Sequence, residues 1–234
     1  MSKILAFIPA RFNSKRLIKK NIKLFLGKPL IAWTIEAALN ANVEMDVIVS
    51  TDSNEIADIA KKYGAEVPFL RAKELATDKA SSFSALEDLI IKLSSLGRNY
   101  DYIVLLQPTS PLRGSVSIEE AFDLLIVNDA NAVVSVTELE HPVEWAMELP
   151  VNNDMSSFID KNISLLKKRS QDFPAKYLLN GAIYCGKTSI VLQEKTFYVR
   201  DKIYAYKMPK KNSIDIDDID SFEYAEYLML KNKV

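Results

Sequence analysis

The strongest constraint on this chain is a repeated exchange between two hydrophobic periods. Lys3 to Ile8 is a short continuous apolar run that stops at Pro9, the pattern of a strand buried on both faces. From Pro29 to Ala41, apolar residues (Leu30, Ile31, Trp33, Ala37, Ala38) then recur at helical spacing. The exchange repeats with a strand at Asp46 to Thr51 and a helix at Asn54 to Tyr63, which Ser53 can cap and Gly64 can end. Continuing along the chain, the pattern predicts a strand at Glu66 to Leu70, a long helix from Ser81 or Ser82 to near Gly97, and a buried strand at Tyr102 to Leu106. A helix at Ser117 to Val127 and a strand at Ala132 to Val136 follow. Such alternation implies the α/β class, with a parallel sheet and right-handed crossovers.

The alternation fails after Thr137. His141 to Pro174 is polar and irregular and holds three of the nine prolines, so an excursion is expected at roughly 139 to 178 within a single domain spanning residues 1–234. Strands return at Ala182 to Cys185 and Ile203 to Tyr206, and Ser221 to Leu230 reads as a closing amphipathic helix.

Composition narrows the class. At 234 residues, 48% hydrophobic and 26% charged, the chain can bury a full core without a metal or disulfide staple. The single cysteine, Cys185, can form no internal disulfide, and the single histidine, His141, can found no histidine-rich metal centre. No apolar run approaches about 20 residues, and the start lacks the features of a signal peptide, so a cytoplasmic protein without membrane or nucleic-acid partners is expected.

The net charge of −1 conceals a segregation. The first 35 residues carry eight basic side chains and no acid, whereas six acids crowd Asp215 to Glu226. Ligands of open α/β sheets bind outside the carboxyl ends of strands, and Ala10 to Asn21 (ARFNSKRLIKKN) occupies the first such position. Its cations suit a triphosphate, and Asn13 is a residue type that tolerates the left-handed backbone of an anion nest. At the other end, Asp215 and Asp217 alternate with Ile214 and Ile216, which places both carboxylates on one face of an extended segment. Paired carboxylates at a strand end suit Mg²⁺, whose remaining positions are filled by phosphate oxygens and water. Asp218 and Asp220 are weaker metal candidates; beside the last helix they serve equally well as N-cap and dipole partners.

Two further segments bear on function. Leu105 to Arg113 (LLQPTSPLR) follows a buried strand with a proline-stiffened loop that puts Gln107 at the sheet edge, and Leu75 to Ser82 places hydroxyls at a helix start. Gly181 to Thr188 (GAIYCGKT) fits the P-loop pattern letter for letter, but its interior is strand-forming, so it is read as accidental. A P-loop nucleotidase remains the rival from another class, together with a non-catalytic nucleotide-sugar binder.

Together, Ile8 to Asn21, Leu75 to Ser82, Leu105 to Arg113, Asn180 to Tyr184 (NGAIY) and Ser213 to Asp217 (SIDID) resemble the motifs of the acylneuraminate (CMP-sialic acid) cytidylyltransferases, in family order and across nearly the whole chain. The resemblance implies a Rossmann-like, GT-A-like nucleotidyltransferase fold: a three-layer sandwich with a mainly parallel sheet and an inserted dimerisation segment. It implies a homodimer that activates a nine-carbon 2-keto sugar acid with CTP, giving CMP-sugar and pyrophosphate; the related eight-carbon Kdo reaction is the alternative. Carried over by position, Arg11, Lys20 and Asp217 are the expected catalytic residues. Lys15, Asn21 and Arg71 join Arg11 and Lys20 in nucleotide binding, and Ser82, Gln107, Tyr184, Phe197 and Tyr198 are expected at the sugar. Asp215 and Asp217 are the expected Mg²⁺ ligands.

The chain departs from the sialic-acid pattern in two places. The sialic-acid enzymes of this family commonly carry a lysine shortly after the His-Pro pair and an Arg-Pro before NGAIY, where this chain reads His141-Pro-Val-Glu144-Trp145 and Tyr177-Leu178-Leu179. The first stretch resembles the branch that acts on legionaminic acid.

Overall fold

The computed structural model describes residues 2–77 and 80–231. Asp78 and Lys79, inside the Leu75 to Ser82 motif, lie outside the described residues.

The strands are β1 (Ile4–Pro9), β2 (Leu24–Phe25), β3 (Lys28–Pro29), β4 (Asp46–Ser50), β5 (Tyr102–Leu106), β6 (Ala132–Glu138), β7 (Tyr177–Lys187) and β8 (Ile203–Lys207). The helices are α1 (Leu30–Leu39), α2 (Asn54–Lys62), α3 (Ser82–Ser95), α4 (Ser115–Val127), α5 (Ser156–Leu166), α6 (Thr188–Glu194) and α7 (Ile219–Lys231). Six strands form one sheet in the order β4-β1-β5-β7-β6-β8, and β2 pairs with β3 in a small antiparallel ribbon.

Alternation of side chains explains the layers. On β1, Ile4, Ala6 and Ile8 face a core shared with α1, α2 and α4, while Leu5 and Phe7 face a second core with α3 and Val191 of α6. A third, smaller cluster packs Phe25, Leu30, Ile216 and Phe222, and so seats α7 and the β2/β3 ribbon against the start of α1. The caps follow the sequence: Ser53 accepts the Ile56 N–H at the start of α2, and Gly64 closes that segment with φ of 95°.

Several expectations need correction. The sheet is mainly parallel, as the family resemblance implies, but not wholly so as the alternation alone suggests: β1/β4, β1/β5 and β6/β8 are parallel, while β7 runs antiparallel to both β5 and β6. Glu66 to Leu70 forms only isolated bridges, at Glu66 with Ile48 and Leu70 with Thr51, because it runs along the sheet edge for too short a distance to build a ladder. β7 begins at Tyr177, so the end of the expected excursion overlaps a paired strand. The excursion also contains α5, whose apolar residues repeat at helical spacing within a polar stretch. Gly181 to Lys187 lies inside β7, and Lys187 ends at the sheet edge away from the first loop, paired with Asp129 at 2.6 Å. No phosphate-cradling loop exists there, which removes the P-loop reading. Gly186 instead permits close packing, since a Cβ would come within 2.5 Å of Val191. Among the described residues, no helix is long and apolar enough to cross a membrane.

Candidate active site

The chain passes from β1 to β4 on one side and then crosses to β5 on the other, so the loops after β1 and β5 diverge and open a crevice. The crevice holds about 470 Å³ and is walled by Arg11, Lys15, Lys20, Asn21, Arg71, Ser82, Gln107 and Asp217, with Arg16, Ser14, Thr77 and Thr109 among the other linings. Eight of the twelve expected site residues therefore share one cavity.

The basic loop is shaped by contacts beneath it. The Phe12 N–H donates to Asp52 at 2.9 Å, which fastens the loop to the residues following β4. Asn21 is buried, and its amide donates to the Arg11 carbonyl at 2.9 Å, which closes the loop on itself. The left-handed residue is Lys19, with φ of 53°, and not Asn13; its amine turns outward to Glu55 at 3.1 Å. Arg71 lies across the end of β4, donating from Nε to the Ser50 hydroxyl at 3.0 Å and from Nη2 to the Ser50 carbonyl at 2.5 Å. Burial pushes its guanidinium down to about 10, with Asp52 opposing that shift and Arg11 adding to it.

The two ends of the chain meet here. Lys20 Nζ donates to the Ile216 carbonyl at 2.6 Å and reaches Asp217 at 3.5 Å, and Arg16 reaches the same Asp217 oxygen at 3.0 Å. Burial lowers the Lys20 pKa, and Asp217 and Asp215 oppose that shift. Ser213 to Asp217 pairs with no strand. Its alternation arises because the Ile216 N–H donates to the Thr109 carbonyl at 2.8 Å and its side chain is fully buried, leaving Asp215 and Asp217 to flank it. Asp215 is raised above the usual carboxylate range, chiefly by desolvation and further by the Asp217 charge, with Thr109 and Lys20 opposing. Asp218 caps α7 by accepting the Ser221 N–H at 2.9 Å.

Asp215, Tyr184, Phe197 and Tyr198 lie outside the cavity lining. Tyr184 adjoins its Gln107 end: burial and the Tyr198 hydroxyl at 3.5 Å raise its pKa, Asp215 adds to the rise, and Gln107 opposes it. Phe197, only 6% exposed, packs in the core beneath the Tyr184 ring at 5.8 Å, so it supports that ring from behind rather than presenting a surface of its own. Tyr198 is half exposed. The His141 to Trp145 stretch is absent from the crevice walls; there Glu144 pairs with Lys176, and the Trp145 ring stacks near His141 and meets Phe173 edge-on.

Sequence reasoning passed over Arg16, Asp52 and Ser50. Arg16 was visible only as one cation among several, and the other two reveal a role only once β4 is placed beside β1.

A sheet of this order, with a cationic crevice at its switch point, defines an α/β nucleotidyltransferase fold. The solved structure of a CMP:2-keto-3-deoxy-manno-octonic acid synthetase complexed with CTP shares it, with a TM-score of 0.71 at 17% identity over 99% of this chain and 100% of the other. Residues 5–234 match the cytidylyltransferase family, and the chain belongs to that family. It is 38% identical to the pseudaminic acid cytidylyltransferase of Campylobacter jejuni subsp. jejuni over 98% of this chain and 97% of that protein. To the CMP-N,N'-diacetyllegionaminic acid synthase of Legionella pneumophila it is 37% identical, over 99% of this chain and 98% of that protein.

Proposed function

We propose that this cytidylyltransferase transfers the CMP group of CTP to a nine-carbon 2-keto sugar acid of the pseudaminic or legionaminic type, releasing pyrophosphate. The observation that carries the reading is the meeting of Lys20 and Arg16 with Asp217 across almost the full chain at the switch point of the sheet. Both relatives described above carry names of this substrate class.

In-line attack of the anomeric hydroxyl on the α-phosphorus displaces pyrophosphate, and a protein accelerates it mainly by positioning and by neutralising charge. Arg11, Lys15 and Lys20 supply that charge to the triphosphate, and Arg16 adds to it from the rim. Asn21, with one amide hydrogen spent on Arg11, keeps both donor and acceptor capacity for the cytosine edge, and Arg71 stiffens the nucleotide wall. Ser82, Gln107, Tyr184 and Tyr198 face the sugar acid in this reading.

The donor set bears on a metal. Among the described residues, no group of three or more metal-binding side chains gathers, so the protein alone does not complete a shell. Desolvation chiefly raises the Asp215 carboxyl and the Asp217 charge adds to the rise, and a divalent cation would relieve both. This fits Mg²⁺ that shares its shell with phosphate oxygens, with Asp215 and Asp217 as the residues that would hold it. Held by these residues, such an ion would supply Lewis-acid neutralisation of the phosphates and would lower the pKa of a hydroxyl at the site.

A homodimer is also part of the proposal. No residue of α5 is buried, and Leu149, Val151, Met155 and Ile163 in the same excursion are exposed. Sedimentation should give a dimer that Ile163→Asp weakens.

The reading is tested by incubating the protein with CTP and Mg²⁺ against sialic, legionaminic, pseudaminic and Kdo acids and identifying products by mass spectrometry. A CMP-linked nine-carbon acid is expected. Product from Kdo alone, or CDP and phosphate without any sugar conjugate, contradicts it.

A further inference from the structure

A cation without a carboxylate lies directly beneath the crevice wall. Arg113 is 1% exposed and heads the largest side chains that the fold fully encloses, yet among the described residues no acid pairs with it. Its Nη1 donates to the Ala182 carbonyl at 2.9 Å and contacts the Gln107 carbonyl at 3.5 Å, while Nη2 donates to the Thr34 hydroxyl at 2.8 Å. Nε is buried without a partner. Desolvation pushes the guanidinium down to about 9, which still leaves it charged at neutral pH.

An apolar side chain of similar volume would fill this space without desolvating a charge, so the core alone gives no reason for arginine here. Position gives one. The three oxygens that Arg113 contacts belong to α1, to β7 and to the first residue after β5, and that residue is Gln107 at the sugar end of the crevice. The opposite side of Gln107 is also defined. Gly181, with φ of +72°, faces it, and a Cβ on Gly181 would sit 3.5 Å from Gln107 Nε2. The Gln107 amide therefore lies against the β7 backbone that Arg113 grips one residue further on.

We propose that Arg113 is a positioning residue for the sugar acid, its guanidinium fork locking the Gln107 backbone to β7 and α1 so that the Gln107 amide is aimed into the crevice across Gly181. The inference rests on the assignment of Gln107 to the sugar acid in the function proposed above.

Steady-state kinetics on the full chain, with CTP and the sugar acid that the wild type converts, test it. Arg113→Met keeps the volume and removes charge and donors, whereas Arg113→Lys keeps the charge and part of the donor set. The KM for the sugar acid should rise about tenfold or more in Arg113→Met and be partly restored in Arg113→Lys, with the KM for CTP within about twofold of wild type. Gln107→Ala combined with Arg113→Met should show the sugar KM of Gln107→Ala alone, because a residue that acts through Gln107 has nothing left to act on. Equal rises in both KM values, an unchanged sugar KM, or multiplying effects in the double variant overturn the proposal. If Arg113→Met does not fold, Arg113→Lys and its combination with Gln107→Ala carry the same comparison. A wild type that converts no sugar acid overturns the functional reading and this inference with it, whereas any adverse variant result beside normal wild-type turnover overturns the inference alone.

Discussion

The two edges of the sheet make opposite use of charge. At the edge where β1, β4 and β5 end, Arg11, Lys15, Arg16, Lys20 and Arg71 converge on a cavity of about 470 Å³, with Asp217 as the one carboxylate in its lining among the described residues. At the edge where they begin, a cavity of about 400 Å³ is lined by Arg98, Asp46 and Tyr100, but there the charges close on one another. Arg98 donates to Glu66 at 2.7 Å and to Asp46 at 2.9 Å, and the Tyr100 hydroxyl donates to Asp46 at 2.6 Å. Asp129 likewise holds Lys187 and Lys202. Cavities of similar size thus differ in the make-up of their described linings, five cations to one carboxylate against Lys3 and Arg98 with Glu44 and Asp46, and an excess of one sign at a sheet switch point is what marks a site for an anionic ligand.

That contrast can be broken from either edge. The largest effect is expected at Asp217: Asp217→Ala should lower pyrophosphate release by roughly 10³-fold while leaving the melting temperature near wild type, since the side chain is partly exposed. Lys20→Ala should cost roughly 10²-fold or more, seen in kcat/KM for CTP. The pH dependence comes next. Because burial and Asp217 raise Asp215, it takes up a proton earlier on acidification than an ordinary aspartate; the Mg²⁺ concentration for half-maximal rate should therefore climb as pH falls, beginning at a higher pH than an ordinary aspartate would set. A half-maximal Mg²⁺ concentration independent of pH across the acid range would count against the carboxylate pair. The smallest effect is expected at the other edge. Arg98→Ala should lower the melting temperature by a few degrees and leave kcat/KM unchanged; a tenfold loss of activity there would erase the distinction between the edges.

Legibility in the sequence followed how local each cause is. β1 and β5 were readable because they are buried on both faces and appear as unbroken apolar runs, and α2 because its cap and its terminating glycine lie within its own residues. The direction of β7 was not readable, since antiparallel insertion is decided by where the chain returns after the excursion, and nothing in Ala182 to Cys185 records it. Glu66 to Leu70 has strand composition but only single bridges, because pairing depends on an edge neighbour outside the segment. At the site, the two charged ends were visible as clusters and their meeting was an expectation of the motif order; the distances from Lys20 and Arg16 to Asp217 needed the fold. Arg113 was hidden for the opposite reason. An arginine in a proline-rich loop resembles a solvated side chain, and only the packing of α1, β5 and β7 around it reveals an enclosed one.

The central claim is that the cations of the first loop and the late aspartates form one nucleotide site at the switch-point edge. Equilibrium binding of CTP in the presence of Mg²⁺, measured by calorimetry on wild type, Lys20→Ala and Lys187→Ala, tests it most directly. The account expects Lys20→Ala to weaken CTP binding by about tenfold or more and Lys187→Ala to bind as wild type does. CTP affinity lost in Lys187→Ala and kept in Lys20→Ala would place the nucleotide at the other edge of the sheet and contradict the account.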